Sequence, residues 1–329
     1  MLEVRQGGLY CPAGDFYIDP LLPADRALIT HAHGDHARIG SRTYLTAREG
    51  EELLRARLGE QAAIQGLPYN ERLRIGDVTV SFHPSGHILG SAQIRLERAG
   101  EVWVVSGDYK LAHDPTCAPF EPVRCHTFVT ESTFGLPIFR WSDPDETLAQ
   151  IRHWWRENRE AGRASILFAY PVGKSQRLLS ALDETEGPLV YFEGVERINQ
   201  VYRASGVPLP YSAQTQDFSQ ALIVGSANLH GSPWARRFGA GASTAFASGW
   251  MRIRGARRRR SLDRGFVMSD HADWPGLQTA IAATGAETIW VTHGYVGPMV
   301  RWLTEQGKRA VPVELALPES QAADAEVAE

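Results

Sequence analysis

The chain has 329 residues, a formal charge of −4 and 43% hydrophobic residues, enough for two domains or one large domain with an insertion. Cys11, Cys117 and Cys125 show no CxxC spacing and leave one thiol over, which argues against a disulfide framework and for a reducing compartment. Leu2-Glu3-Val4-Arg5-Gln6 lacks the apolar core of a signal peptide, and no apolar run nears the roughly 20 residues of a membrane span, so a cytoplasmic protein is expected.

Taken in chain order, apolar runs predict strands at Arg26–Thr30, Val78–His83, Val102–Ser106, Thr127–Thr130, Ile166–Tyr170, Leu189–Phe192, Leu222–Val224, Thr244–Ala247, Phe266–Met268 and Thr288–Thr292. Helical patterns fall between some of them, at Ala47–Leu58, Pro144–Arg159, Lys174–Leu182, Val195–Arg203, Trp274–Ala283 and Pro298–Gln306. Asp143 before Pro144 is a helix start: an N-cap, then proline at the first position. Alternating strands and helices indicate an α/β protein. Two charge features stand apart. Arg252, Arg254, Arg257, Arg258, Arg259, Arg260 and Arg264 cluster beside a single acid, Asp263, as a solvated loop or a phosphate-tracking patch would. From Glu319 to Glu329 there are four acids and no base, and a frayed tail is expected there.

The chemistry gathers where strands end. His31-Ala32-His33-Gly34-Asp35-His36 follows the first run and places four metal-binding side chains within six residues. In extended backbone His31 and His33 point the same way, while Asp35 and His36 sit where the chain turns. Other strand ends lead to His87, to Asp108, to Glu131, to Ser269-Asp270-His271 and to His293. In open α/β folds ligands collect beyond the carboxyl ends of strands, so these residues can converge. Their number suits two ions. His31, His33 and His87 give one set, Asp35, His36 and His293 a second, and Asp108 can offer one oxygen to each. Imidazole and carboxylate together leave Zn and Mn open. Two divalent ions suit hydrolysis, especially of phosphodiesters.

These residues resemble a known family. His31 to His36, with His87 and Asp108, is similar to the metal loop of the metallo-β-lactamase superfamily, and Asp19 resembles the acid that supports that loop. Thr130-Glu131-Ser132-Thr133, Ser269-Asp270-His271-Ala272-Asp273 and Thr292-His293-Gly294 resemble motifs A, B and C of the β-CASP nucleases. The resemblance implies a metallo-β-lactamase αβ/βα sandwich with an inserted α/β β-CASP cap that closes a groove over the metals. The implied boundaries are core at 1–144 and 265–318, cap at 145–264 and tail at 319–329. It implies a catalytic set of Asp19, Asp35, Glu131 and His271. Glu131 would orient a histidine, His271 would protonate the leaving oxygen, and His293 would be the seventh metal ligand.

In the cap, Tyr170-Pro171-Val172-Gly173-Lys174-Ser175-Gln176 reads as a strand end, a glycine and a lysine opening a helix, so Lys174 is a candidate for backbone phosphate. It is not a Walker A loop, because Phe168 stands where that motif needs glycine. Ala247-Ser248-Gly249-Trp250 resembles a β-CASP loop near substrate phosphate, with Ser248 and Gly249 as contacts and Trp250 as a base-stacking or core residue. The short form with His293 at motif C most resembles bacterial DNA exonucleases that accompany an ATP-dependent DNA ligase and an Lhr-type helicase. Metal-dependent cleavage of DNA single strands or ends in repair is therefore expected, with an RNA-processing ribonuclease as the alternative. The Arg-rich segment and large cap disfavour a small-ester metallohydrolase. The full ligand set disfavours an inactive scaffold subunit.

Overall fold

The computed structural model describes residues 1–239, 241–253, 255 and 262–315. The run Arg254 to Arg260, apart from Gly255, and the acidic tail lie outside the described residues. The chain divides into two compact units, one holding Met1–Pro137 and the described residues from His271 on, the other Ile138–Asp270. Strands in chain order are β1 (Glu3–Arg5), β2 (Gly8–Cys11), β3 (Phe16–Ile18), β4 (Arg26–Leu28), β5 (Thr43–Ala47), β6 (Ile64–Leu67), β7 (Leu73–Ile75), β8 (Val78–Pro84), β9 (Ala92–Arg98), β10 (Glu101–Val105) and β11 (Thr127–Ser132). Then come β12 (Ser165–Phe168), β13 (Leu189–Tyr191), β14 (Leu222–Gly225), β15 (Ser243–Ala247) and β16 (Arg264–Phe266) in the second unit, and β17 (Thr288–Gly294) and β18 (Arg309–Pro312) back in the first.

The first unit packs two sheets face to face. One runs β1-β2-β3-β4-β5-β6 and the other β18-β17-β11-β10-β9-β8-β7. Leu9, Phe16, Leu28 and Leu45 of the first sheet share a core with Val80, Phe82, Ile94, Leu96, Trp103 and Val129 of the second. Alternation explains the assignment: β9 sends Ala92, Ile94 and Leu96 inward while Arg95 and Glu97 remain partly exposed. Two of the central strands are apolar on both faces. Val104 and Phe128, neighbours in sequence of Trp103 and Val129, point into a second core formed with Leu277, Ile281, Met299 and Leu303. Those four come from the helices Trp274–Thr284 and Val296–Glu305, which cover the outer face. Asp273 caps the first of these helices by accepting from Gly276 N at 2.9 Å, and Gly285, at φ +68°, ends it.

The second unit is a parallel sheet of order β13-β14-β12-β15-β16. Ile166, Phe168, Ile223 and Phe246 carry its core. It takes in chain on either side of residues 145–264 for a local reason. Phe139 packs edge-on to Trp250 at 5.7 Å, and Thr147 Oγ1 donates to Val267 O at 3.2 Å, so residues 138–144 and 265–270 belong to this unit.

Several expectations shift. Ala47 ends strand β5 instead of opening a helix, because Thr43–Ala47 pairs with β4 and β6; the helix begins at Glu51. The run Phe266–Met268 is displaced to Arg264–Phe266, where the ladder with β15 lies. Strands β1, β2, β3, β7 and β18 are only three or four residues long, and β9 alternates polar with apolar residues, so none stood out as an apolar run. Among the described residues no helix is long and apolar enough to cross a membrane.

Candidate metal centre

The metal loop is shaped by Asp19, itself at φ +44°. Its Oδ1 accepts from Thr30 N at 2.8 Å, and its Oδ2 accepts from Thr30 Oγ1 at 2.6 Å and from His36 Nδ1 at 2.7 Å. These contacts set two tautomers. The Thr30 hydroxyl proton goes to Asp19, so His31 Nδ1, 3.0 Å from Thr30 Oγ1, is the donor there. In their neutral forms His31 and His36 are therefore each left with an Nε2 lone pair, which an ion would have to take from a proton at His36.

His31, His33, His87 and Asp108 bring one ligand atom each within 4.8 Å of one another. His33 Nδ1 lies 3.2 Å from His31 Nε2 and 3.0 Å from His87 Nε2. With His31 Nε2 an acceptor, at most one proton, on His33 Nδ1 or on His87 Nε2, lies among these three nitrogens, so a cation at their centre explains the convergence better than hydrogen bonding. Asp108 Oδ2 faces this group, 3.5 Å from His31 Nε2 and 3.7 Å from His87 Nε2. Its other oxygen, Oδ1, lies 3.6 Å from His36 Nε2, which is also 3.5 Å from Asp35 Oδ2. His36 Nε2 is buried and without a hydrogen-bond partner among the described residues. An orphaned nitrogen facing two carboxylates, beside converging imidazoles, fits a divalent transition-metal ion.

His293 joins this side by stacking on His36, ring centres 5.3 Å apart. A bulge places it there: β11 pairs Glu131 with Thr292 but Ser132 with Gly294, so His293 is the extra residue, at φ +53°. Ser132 Oγ donates to its carbonyl. Gly294 follows at φ +75°, and a Cβ there would stand 2.4 Å from Ser132 O.

Electrostatics follow the same division. Burial pushes the His31 imidazole well down, and neighbouring histidines add to this. Burial acts the same way on His36, but Asp35, Asp108 and Asp19 outweigh it and raise that imidazole well above its ordinary value. Burial raises Asp35, yet His36 and His33 reverse the sign and hold its carboxyl well below the usual range. Buried Asp108 is raised by desolvation.

A second group abuts the first. His271 Nδ1 lies 2.9 Å from Glu131 Oε2 and 3.8 Å from Asp108 Oδ2. Glu131 is fully buried, and Tyr109 N donates to its other oxygen at 2.8 Å. Burial would raise its carboxyl, but His271 wins and holds it low.

The expected phosphate residues belong to the second unit. Lys174 and Ser248 follow the carboxyl ends of β12 and β15, adjacent parallel strands where the winding direction of the sheet reverses. The local detail differs from a phosphate cradle. Gly173 N donates to Gln176 Oε1 at 2.8 Å and Ser175 N to Tyr170 O at 3.1 Å, so the turn satisfies its own donors. Lys174 Nζ, buried, sits 3.4 Å from Asp270 Oδ2 and 4.6 Å from the Tyr170 ring centre. Ser248 Oγ accepts from Trp250 N at 3.3 Å, opening the turn Gly249–Arg252. Of the arginine cluster, Arg252 donates to Ile138 O and Arg264 pairs with Glu157 at 3.4 Å.

Sequence reading missed Thr30, whose hydroxyl relays Asp19 to His31, and Ser132, which holds the bulge. Each adjoins a recognised residue, and that adjacency was the available signal.

No family model matches the chain. A "Probable DNA ligase" of Opitutus terrae is 29% identical over 310 residues, 92% of this chain and 30% of that protein. "Endoribonuclease ysh-1" of Neurospora crassa is 25% identical over 190 residues, 53% of this chain and 22% of that protein. "RNase J-like protein" of Methanocaldococcus jannaschii is 25% identical, covering 47% of this chain and 42% of that protein. The chain thus matches under a third of the length of the first two and under half of the third. A crystal structure of a protein of unknown function from Enterococcus faecalis shares the fold, with a TM-score of 0.62 at 14% identity over 89% of this chain and 80% of that one. Relatives and motif series together make this chain a homologue of the β-CASP nucleases of the metallo-β-lactamase superfamily.

Proposed function

We propose that the chain is a two-metal-dependent nuclease that hydrolyses phosphodiester bonds of DNA, at ends or in single strands, as an exonuclease in repair. The observation that carries this reading is Asp108, whose two oxygens face different ligand sets. His31, His33 and His87 would hold one ion, Asp35, His36 and His293 the other, and Asp108 both. Bound there, such ions acidify water and neutralise phosphodiester charge. The protein's own groups do the rest. Asp19 keeps the His36 proton on Nδ1 and, through Thr30, that of His31 likewise, so both present Nε2. Glu131 holds His271 by Nδ1, which leaves Nε2 to carry the proton that the departing oxygen needs.

The fold fits this assignment. In it the first unit is the metallo-β-lactamase core and Ile138–Asp270 the β-CASP cap. Lys174, Ser248 and Gly249 are then phosphate contacts, which for Lys174 requires substrate to compete with Asp270. DNA is favoured because the "Probable DNA ligase" matches 92% of this chain. That match supports a partner DNA ligase; a helicase of the same pathway rests on the motif resemblance alone. Relatives named as an endoribonuclease and as RNases keep RNA as the second reading. The deciding experiment is a panel of end-labelled single- and double-stranded DNA and RNA, with 5′-phosphate or 5′-hydroxyl ends, under Zn or Mn. Metal-dependent shortening of DNA supports the proposal. Cleavage of RNA alone moves it to the ribonuclease reading, and no cleavage of either overturns it.

A further inference from the structure

Lys110 and Asp114 form a buried ion pair that the chemistry above does not use. Nζ to Oδ2 is 2.6 Å, and both side chains are almost fully enclosed, at 1% and 3% exposure. Asp114 Oδ1 accepts from Thr116 N at 2.9 Å and Thr116 Oγ1 at 2.6 Å, so its second oxygen is also engaged. A buried pair of this kind is weak evidence for stability, because desolvating both charges offsets their attraction. Its placement is more informative.

Lys110 follows the shared ligand Asp108 by two residues and reaches the loop that carries His87. Its backbone N donates to Ser85 O at 3.1 Å, and its Nζ lies 3.4 Å from His87 O. Cys117 Sγ, at the far end of the same segment, lies 3.4 Å from Gly86 O. All three carbonyls of Ser85-Gly86-His87 are therefore met from the segment beginning at Lys110. From the other side, Ser91 Oγ accepts from both His87 N and Ile88 N at 3.1 Å. The approach needs Gly86: its φ is +75°, and a Cβ would stand 2.2 Å from Lys110 O.

We propose that the Lys110–Asp114 pair is a positioning device that sets the spacing of His87 relative to Asp108. The two ligands arrive on separate strand ends with no covalent tie, and Asp114 fixes the lysine that spans them. This inference rests on the metal reading, because spacing matters only if both side chains bind an ion.

The test is Lys110→Met with Asp114→Asn, which removes both charges but leaves Thr116 an acceptor. Zn(II) affinity is measured by competition with a chromophoric chelator, and thermal unfolding is followed in excess chelator. The expected result is a 10–100-fold loss of affinity, the range for groups that orient metal ligands, with metal-free unfolding close to wild type. A merely structural pair would lower the metal-free melting temperature and leave affinity alone. A fivefold or greater loss supports the proposal, and a smaller one overturns it. If the double variant does not fold, Asp114→Asn alone is judged by the same threshold. A wild-type chain that takes up neither Zn(II) nor Mn(II) overturns the metal reading and this inference with it.

Discussion

Asp108 turns one oxygen toward His31 and His87 and the other toward His36. Asp108→Ala should therefore cost both ion sets at once: bound metal, counted by atomic emission, falls, and cleavage is lost. Full activity in that variant would sink the two-ion assignment. His271→Ala should separate chemistry from binding. Metal content stays at the wild-type value while turnover drops about 10²–10⁴-fold, the usual contribution of a positioned acid; loss of metal instead would make His271 a ligand. Away from the site, burial pushes the Cys125 thiol up to about 12. At pH 8.5 fewer than about one such thiol in a thousand is thiolate. Alkylation by iodoacetamide, followed by mass spectrometry, should be far slower at Cys125 than at a peptide cysteine and should rise with pH; a peptide-like rate contradicts this. The clustered histidines and aspartates were legible in sequence as candidate ligands because such residues seldom crowd at successive strand ends. Lys110 and Asp114 were not, since a lysine and an acid in a loop read as surface charges until burial is known.

At the scale of elements, the bulge between β11 and β17 decides where His293 points. Period-two alternation could not reveal it, because a bulge is a departure from that period. Gly294→Ala tests it directly. The new methyl meets Ser132 O and Thr133 Cα, both backbone, at 2.4 Å, in a conformation that L side chains disfavour. A loss of about 1–3 kcal/mol in denaturant unfolding is expected, with weaker metal uptake; wild-type stability would show that the turn is not held as described. The strands easiest to read were β10, β11 and β17, rich in apolar residues. Those missed were very short, like β2 and β3, or half-polar: β9 alternates Ile94 and Leu96 with Arg95 and Glu97, a pattern that only its neighbours in the sheet make unambiguous. One helix start fared better, because Asp143 announces itself beside Pro144 and does cap its helix.

For the whole molecule, every proposed metal ligand belongs to the first unit, although that unit is made of two separated stretches of chain. Chelation should accordingly raise amide hydrogen exchange around residues 27–36, 85–92, 106–110 and 291–295, while β12 to β15 keep their protection. Equal loss in both units would mean that metal stabilises more than its own ligands. Charge reversal of Arg257–Arg260 addresses the proposed polynucleotide binding. It should weaken polynucleotide binding and flatten its salt dependence, and unchanged binding at low and moderate salt would return that run to an ordinary solvated loop.

Strand β11 has its parallel partner β17 about 160 positions later, as the Ser132 to Thr292 contact records. On a ribosome adding about 5–20 residues per second, that gap lasts on the order of ten seconds or more. At its start Glu131 and six of the seven proposed metal ligands have been synthesised, but His271 and His293 have not. A nascent chain therefore carries an incomplete set of the proposed site residues until the final stretch emerges, and the long detour through the second unit delays their assembly.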